Sequence, residues 1–141
     1  MLRVLLIGGK GFIGSYLDSY LKEKKYLVDI VSIDKHGKSV THNSHDESIE
    51  LCKTQLEKYD AFIYLAWASN PSTAEKSPLC DIENSVITGL HWIERIGVLK
   101  TNPLVVFFSS GGAVYGDLSK GFASEDLCLN PSSSYGISKA Y

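Results

Sequence analysis

The stretch Gly8-Gly9-Lys10-Gly11-Phe12-Ile13-Gly14 decides how the rest of this sequence is read. It follows an unbroken apolar run, Val4-Leu5-Leu6-Ile7, and opens a segment in which Phe12, Ile13, Tyr16, Leu17, Tyr20 and Leu21 recur at helical spacing. Strand, glycine turn and helix in that order are what a dinucleotide site needs. The first glycine lets the chain turn sharply, the second lets backbone approach a pyrophosphate, and the third lets helix and strand pack closely. A helix opening near Gly11 would turn its free N–H groups and the positive end of its dipole toward the phosphates. The spacing is G-x-x-G-x-x-G, one residue longer between the first two glycines than the commoner G-x-G-x-x-G.

The next apolar run, residues 27–33, ends in Asp34, twenty positions after Gly14. A carboxylate at the tip of a second parallel strand would accept hydrogen bonds from an adenosine ribose and repel a 2′-phosphate, which favours NAD over NADP. Lys35, His36 and Lys38 follow at once and could neutralise an extra phosphate, so NADP stays open.

With 141 residues the chain can build one hydrophobic core, and 44% hydrophobic and 21% charged content are those of an ordinary globular domain. A formal charge of −2 leaves no basic footprint for nucleic acid, and no apolar run approaches the length of a membrane span. Strand residues begin so close to Met1 that no signal or transit peptide is expected before them. Cys52, Cys80 and Cys128 are odd in number and outside any C-x-x-C pattern, which points to free thiols in a reducing, cytoplasmic setting. His36, His42, His45 and His91 lack the spacing of a zinc site.

Residues 35–45 read as a polar loop, and Asp46 as the cap of a helix over 47–59 with Ile49, Cys52, Leu56 and Tyr59 on its apolar face. Residues 61–67 form a short apolar run of strand length, expected to be central and buried on both faces. The turn formers of residues 68–78 predict a loop. The longest predicted helix runs from about Leu79 to Lys100, with Ile82, Val86, Leu90, Ile93 and Ile96 near one face. Residues 104–108 read as another buried strand, ending in Ser109-Ser110-Gly111-Gly112. The expected fold class is α/β: a doubly wound parallel sheet of about four strands, with ligands beyond the carboxyl ends of the strands.

Residues 115–141 read as loop until a helix begins at Tyr135-Gly136-Ile137-Ser138-Lys139. Two turns cannot bury much, so the chain is expected to be a fragment of a longer protein. Tyr135 and Lys139 lie four apart and share a helical face. Tyrosine in water, with pKa about 10, is a poor base at neutral pH. A neighbouring ammonium and a cationic nicotinamide both favour a phenolate able to take a proton from a sugar hydroxyl. The pattern is cheap, and Tyr20 with Lys24 makes a second match; Tyr20 is expected on the buried stripe of the first helix.

Together these residues resemble the extended short-chain dehydrogenase/reductase family, in particular its NAD-dependent nucleotide-sugar epimerase/dehydratase branch, whose Rossmann-type fold they imply. The matching stretches are Gly8 to Gly14, Asp34, Tyr64-Leu65-Ala66-Trp67, Asn84 with Thr88, Ser109 to Gly116, and Pro131 to Lys139. The resemblance implies that Gly8, Gly11 and Gly14, with the backbone of Phe12 and Ile13, hold the pyrophosphate. Asp34 would bind the adenosine ribose, and Leu65 and Ala66 would line the cofactor cleft. Tyr135 would be the acid/base, and Lys139 would bind the nicotinamide ribose. The family's catalytic serine or threonine falls at Gly111, with Ser110 one residue early. Gly111, Gly112 and Ala113 also stand where dehydratases of this branch resemble Thr-Asp-Glu, so dehydration is not expected.

The resemblance implies that residues 1–141 are the Rossmann-type NAD(P)-binding domain, incomplete at its C-terminus, without the family's substrate domain. The resemblance implies a homodimeric parent that epimerises a nucleotide sugar, of the UDP-sugar 4-epimerase type. The alternatives are a reductase or dehydrogenase of the same branch and a non-catalytic dinucleotide-binding module. The chain as given is expected to bind cofactor without turnover.

Overall fold

Val4, Leu5, Leu6 and Ile7 are all buried in strand β1 (Arg3–Ile7), as an apolar run without alternation requires of a strand covered on both faces. The structure, a computed structural model, describes residues 1–33, 39–42, 53–118 and 121–140. After β1 come helix α1 (Phe12–Glu23), strands β2 (Leu27–Ile33) and β3 (Ser39–His42), helix α2 (Lys53–Leu56) and strand β4 (Ala61–Tyr64). Helices α3 (Pro71–Lys76) and α4 (Pro78–Asp81), a π-helical segment Ile82–Ile87, helix α5 (Thr88–Gly97), strand β5 (Leu104–Phe107) and helices α6 (Gly111–Val114) and α7 (Ser134–Ala140) complete the order.

The chain divides into two compact units, Met1–Ala66 with Thr88–Phe107, and Trp67–Ile87 with Phe108–Tyr141. The first holds a sheet of order β3-β2-β1-β4-β5. β1 is parallel to both neighbours, with Leu5 opposite Asp29 on β2 and Phe62 on β4, and β4 is parallel to β5. The strand order reverses beside β1, where the chain leaves on one side for β2 and returns on the other as β4. In an open parallel sheet that reversal opens a crevice at the strands' carboxyl ends. The doubly wound α/β architecture is thus the expected one, and β4 is central, with Phe62 and Tyr64 buried.

Five expectations need correction. Residues 39–42, expected as loop, form β3, which pairs antiparallel with β2. Residues 71–76, also expected as loop, form α3. Asn70 accepts the Thr73 N–H in a capping box and Pro71 stands at the first helical position, so turn formers here start a helix. Helix α5 buries Gly89, Trp92 and, as expected, Ile96, while Ile82, Leu90 and Ile93 of the expected face are exposed. Gly89 lies against the Tyr64 ring. Among the described residues β5 pairs with β4 alone, and Leu104 is 65% exposed with Val105 and Phe107 also open. Tyr20 is 55% exposed, with the Lys24 ammonium 5.4 Å from its ring centroid, and does not belong to the core.

Of the helix expected over 47–59, only Lys53–Leu56 is helical among the described residues. Leu56 and Tyr59 are buried as expected. The Tyr59 hydroxyl donates to Asp29 Oδ2 (2.9 Å), which also lies 3.6 Å from Arg3 Nε, so burial and Asp29 both raise the Tyr59 pKa. No helix of the described residues is long and apolar enough to cross a membrane.

Candidate cofactor cradle and Tyr-Lys site

In the first unit the glycine turn is built by backbone. Gly8 N–H donates to the Val31 carbonyl (2.6 Å), and Leu65 N–H donates to that of Ile7 (2.7 Å). These bonds bring the carboxyl ends of β1, β2 and β4 together around Gly8. Gly8 sits at φ +85°, and a Cβ there would stand 2.6 Å from Ala66 N, so only glycine fits. Gly14 fills the packing role expected of the third glycine: its Cβ would meet Gly9 Cα at 2.5 Å. Gly9 lay outside the expected set. A Cβ on it would meet Leu6 Cβ at 2.9 Å, a close approach that motif spacing does not show.

Gly11 differs. It caps α1 in ordinary extended geometry (φ −72°, ψ 178°), and a Cβ there would meet nothing nearer than the Gly8 carbonyl at 3.4 Å. No side chain caps the start of α1, and its first turn holds no acidic residue. Phe12 and Ile13 are exposed there. The N-terminal N–H groups and the positive end of the dipole are therefore open to an anion, a fit to the pyrophosphate of a dinucleotide. Gly8, Leu65 and Ala66 meet at this turn, whereas Asp34 lies outside the described residues.

In the second unit Tyr135 and Lys139 share a face of α7, with Lys139 Nζ 5.9 Å from the Tyr135 ring centroid. The ammonium donates to the Phe108 carbonyl (2.8 Å) and stands 3.9 Å above the centre of the Trp67 ring. Burial lowers the Lys139 pKa to about 8, opposed by the Asp81 carboxylate, which favours the charged form. Ser109 Oγ donates to the Lys139 carbonyl (3.0 Å). Ser110 is the N-cap residue of α6, yet its hydroxyl makes no capping bond. A side chain at Gly111 would meet nothing within 4 Å.

Two participants escaped sequence reasoning. Trp67 was legible only as a strand-end residue, and its ring contact with Lys139 joins positions 72 apart. Asp81 is 3% exposed and accepts hydrogen bonds from Ser69, Ser85 (3.0 Å) and Ser138 (2.7 Å). No motif signals a lone aspartate whose partners are scattered in this way. Among the described residues no group of histidine, cysteine or acidic side chains could hold a metal ion, and Cys80 and Cys128 are free thiols.

Comparison with known proteins gives these features a family. Residues 4–141 match the NAD dependent epimerase/dehydratase family. The UDP-glucose 4-epimerase of Mycoplasma genitalium is 28% identical over 97% of this chain and 45% of its own length. Among solved structures, the Thermus thermophilus UDP-glucose 4-epimerase, in complex with NAD, superposes with a TM-score of 0.75 at 28% identity, over 99% of this chain and 48% of that one. The UDP-N-acetylglucosamine 4-epimerase of Methanobrevibacter ruminantium M1, in complex with UDP-N-acetylmuramic acid, gives 0.77 at 26% identity, over 99% and 47%. The chain spans about half the length of the curated relatives it matches. An open helix start over a glycine turn, a Tyr-Lys helix and a match running from Val4 to the last residue agree: the chain belongs to the NAD-dependent epimerase/dehydratase family.

Proposed function

We propose that this chain is the cofactor-binding part of an NAD-dependent nucleotide-sugar 4-epimerase acting on a UDP-sugar, with most sugar-nucleotide contacts supplied by residues outside it. The observation that carries the reading is Tyr135 and Lys139 on one face of α7, the ammonium anchored by a carbonyl and an indole ring. Gly8, Gly11 and Gly14, with the backbone of Phe12 and Ile13, hold the pyrophosphate; Leu65 and Ala66 flank it, and Asp34 takes the adenosine ribose. NAD, when bound, supplies a hydride acceptor that can return the hydride. Tyr135 takes the proton from the sugar C4 hydroxyl and gives it back after the keto sugar has turned its other face. Lys139 holds the nicotinamide ribose and keeps a positive charge beside the phenol. Ser110, whose hydroxyl is left free of a capping bond, binds the reacting oxygen in place of the residue missing at Gly111. The free thiols Cys80 and Cys128 suit a cytoplasmic setting.

The test is incubation of the whole protein with UDP-glucose and NAD, following the sugar by proton NMR and the nicotinamide by absorbance. Appearance of the C4 epimer without net NADH is the expected result. Stoichiometric NADH instead identifies a dehydrogenase, and cofactor binding with an unchanged sugar identifies a non-catalytic module.

Two further outcomes follow from the side chains. Turnover falls as pH rises through about 8, because the Lys139 ammonium is charged below that value and neutral above it. A pH profile of kcat with no alkaline limb in that range contradicts the role of Lys139. Ser110→Ala lowers kcat roughly a hundredfold, the effect of losing one donor to a reacting oxygen. Adding Gly111→Ser to that variant restores part of the loss, since the site is open to a side chain. Unchanged turnover in Ser110→Ala removes Ser110 from the chemistry.

A further inference from the structure

Asp81 is a carboxylate with almost no contact with water, at 3% exposure. Charged groups are rarely buried unless hydrogen bonds and an opposite charge compensate the loss of water. Here Oδ1 accepts the hydroxyls of Ser69 and Ser85, and Oδ2 accepts that of Ser138. Ser85 Oγ in turn accepts the Ala68 N–H (3.2 Å). The donors come from three places: the segment that carries Trp67, the π-helical segment, and α7 at the residue next to Lys139. Three hydroxyl donors supply the compensation, and the Asp81 charge also favours the protonated form of Lys139.

We propose that Asp81 is a positioning residue for the Tyr135–Lys139 pair: it ties α7 to the 67–70 segment and the π-helical segment, and so sets where Lys139 lies against Trp67 and the Phe108 carbonyl, with a fixed negative charge nearby. The inference rests on the reading of Tyr135 and Lys139 as the proton-transfer pair. Asp81 touches neither reacting atom; it acts through Ser138, through the Ser69 segment that presents Trp67, and through its field. The other charged or titratable groups on the elements packed against α7 are Glu75, Lys76, Cys80 and Glu83, together with Tyr135 on α7 itself. Of these, Glu75 accepts the Ser134 N–H (2.8 Å) and hydroxyl (3.0 Å) at the start of α7.

The test is an NMR titration of the chain with lysine labelled at Cε, the Lys139 signal being assigned by its loss in Lys139→Met. Removing the charge and loosening the packing move the Lys139 midpoint in opposite directions, which separates a positioning role from a merely structural one. Asp81→Asn keeps the shape and removes the charge, so the midpoint falls from about 8, by about half a pH unit or more. A midpoint that stays or rises in a folded Asp81→Asn overturns the proposal. Should that variant not fold, Ser138→Ala decides: it keeps the charge and cuts the tether, so Lys139 loosens and its midpoint rises toward the ordinary lysine range. No change in Ser138→Ala overturns the proposal equally. The titration requires no turnover, so its failure is distinct from failure of the epimerase reading, which the Tyr135→Phe variant tests.

Discussion

Replacing Tyr135 by phenylalanine lowers kcat of the whole protein by about 10²–10⁴-fold, the range that one positioned acid/base supplies. Cofactor affinity stays within about twofold, since the proposed contacts to the pyrophosphate are made at the Gly8 to Gly14 turn. The phenol is half-buried, and its hydroxyl makes no hydrogen bond among the described residues. Its removal therefore breaks nothing in the fold, and stability changes by at most about 0.5 kcal/mol. Rapid-mixing measurements of turnover beside a calorimetric NAD titration check both halves. Full activity in a folded Tyr135→Phe excludes the phenol as the base. Tyr20→Phe is the control, because that residue belongs to the cheaper second match of the pattern and lies exposed on α1.

The second large effect separates two glycines that the motif treats alike. Gly14→Ala places a methyl group 2.5 Å from Gly9 Cα and from its carbonyl oxygen, with rigid backbone on both sides. Helix α1 must then move away from the turn, at a cost of about 1–3 kcal/mol of stability. NAD affinity falls with it. Gly11→Ala meets only the Gly8 carbonyl at 3.4 Å and keeps an extended φ that any residue adopts. Stability drops by at most about 1 kcal/mol, the difference between glycine and alanine at an N-cap. Affinity for NAD nevertheless falls tenfold or more, about 1.4 kcal/mol, if the pyrophosphate binds as proposed, since the methyl group then stands in its approach to the helix. Thermal unfolding with and without NAD checks the pair. Equal losses of stability in the two variants contradict the division of labour between them.

Much of this was legible in local sequence. The run Val4 to Ile7, the glycines and the helical period after them placed β1, the turn and α1 within a residue or two, because steric rules and periodicity act over neighbouring positions. That Tyr135 and Lys139 share a helical face was legible for the same reason, since four residues make about one helical turn. Asn70 and Pro71 were misread because the residues that break one element also cap the next, and only the Thr73 contacts show which they do. The long helix was misread because its buried face is chosen by what it packs on. Gly89 and Trp92 turn inward, and of the expected stripe Ile96 is buried while Ile82, Leu90 and Ile93 stay outside.

The sequence by itself determined the fold class, through the order of its apolar runs and helical periods, and also that Gly8 and Gly14 are confined and that Tyr135 and Lys139 share a helical face, since those features are written in short spacings. Tertiary structure alone decided that β5 has one strand neighbour among the described residues, that Gly9 is confined as well as Gly14, and that Trp67 meets Lys139 while Asp81 gathers three serines. Those facts depend on which residues meet after the chain has crossed back on itself. The serines around Asp81 lie 12, 4 and 57 positions from it. No local pattern encodes such a meeting; it exists only once strands and helices have packed and water has been excluded from between them.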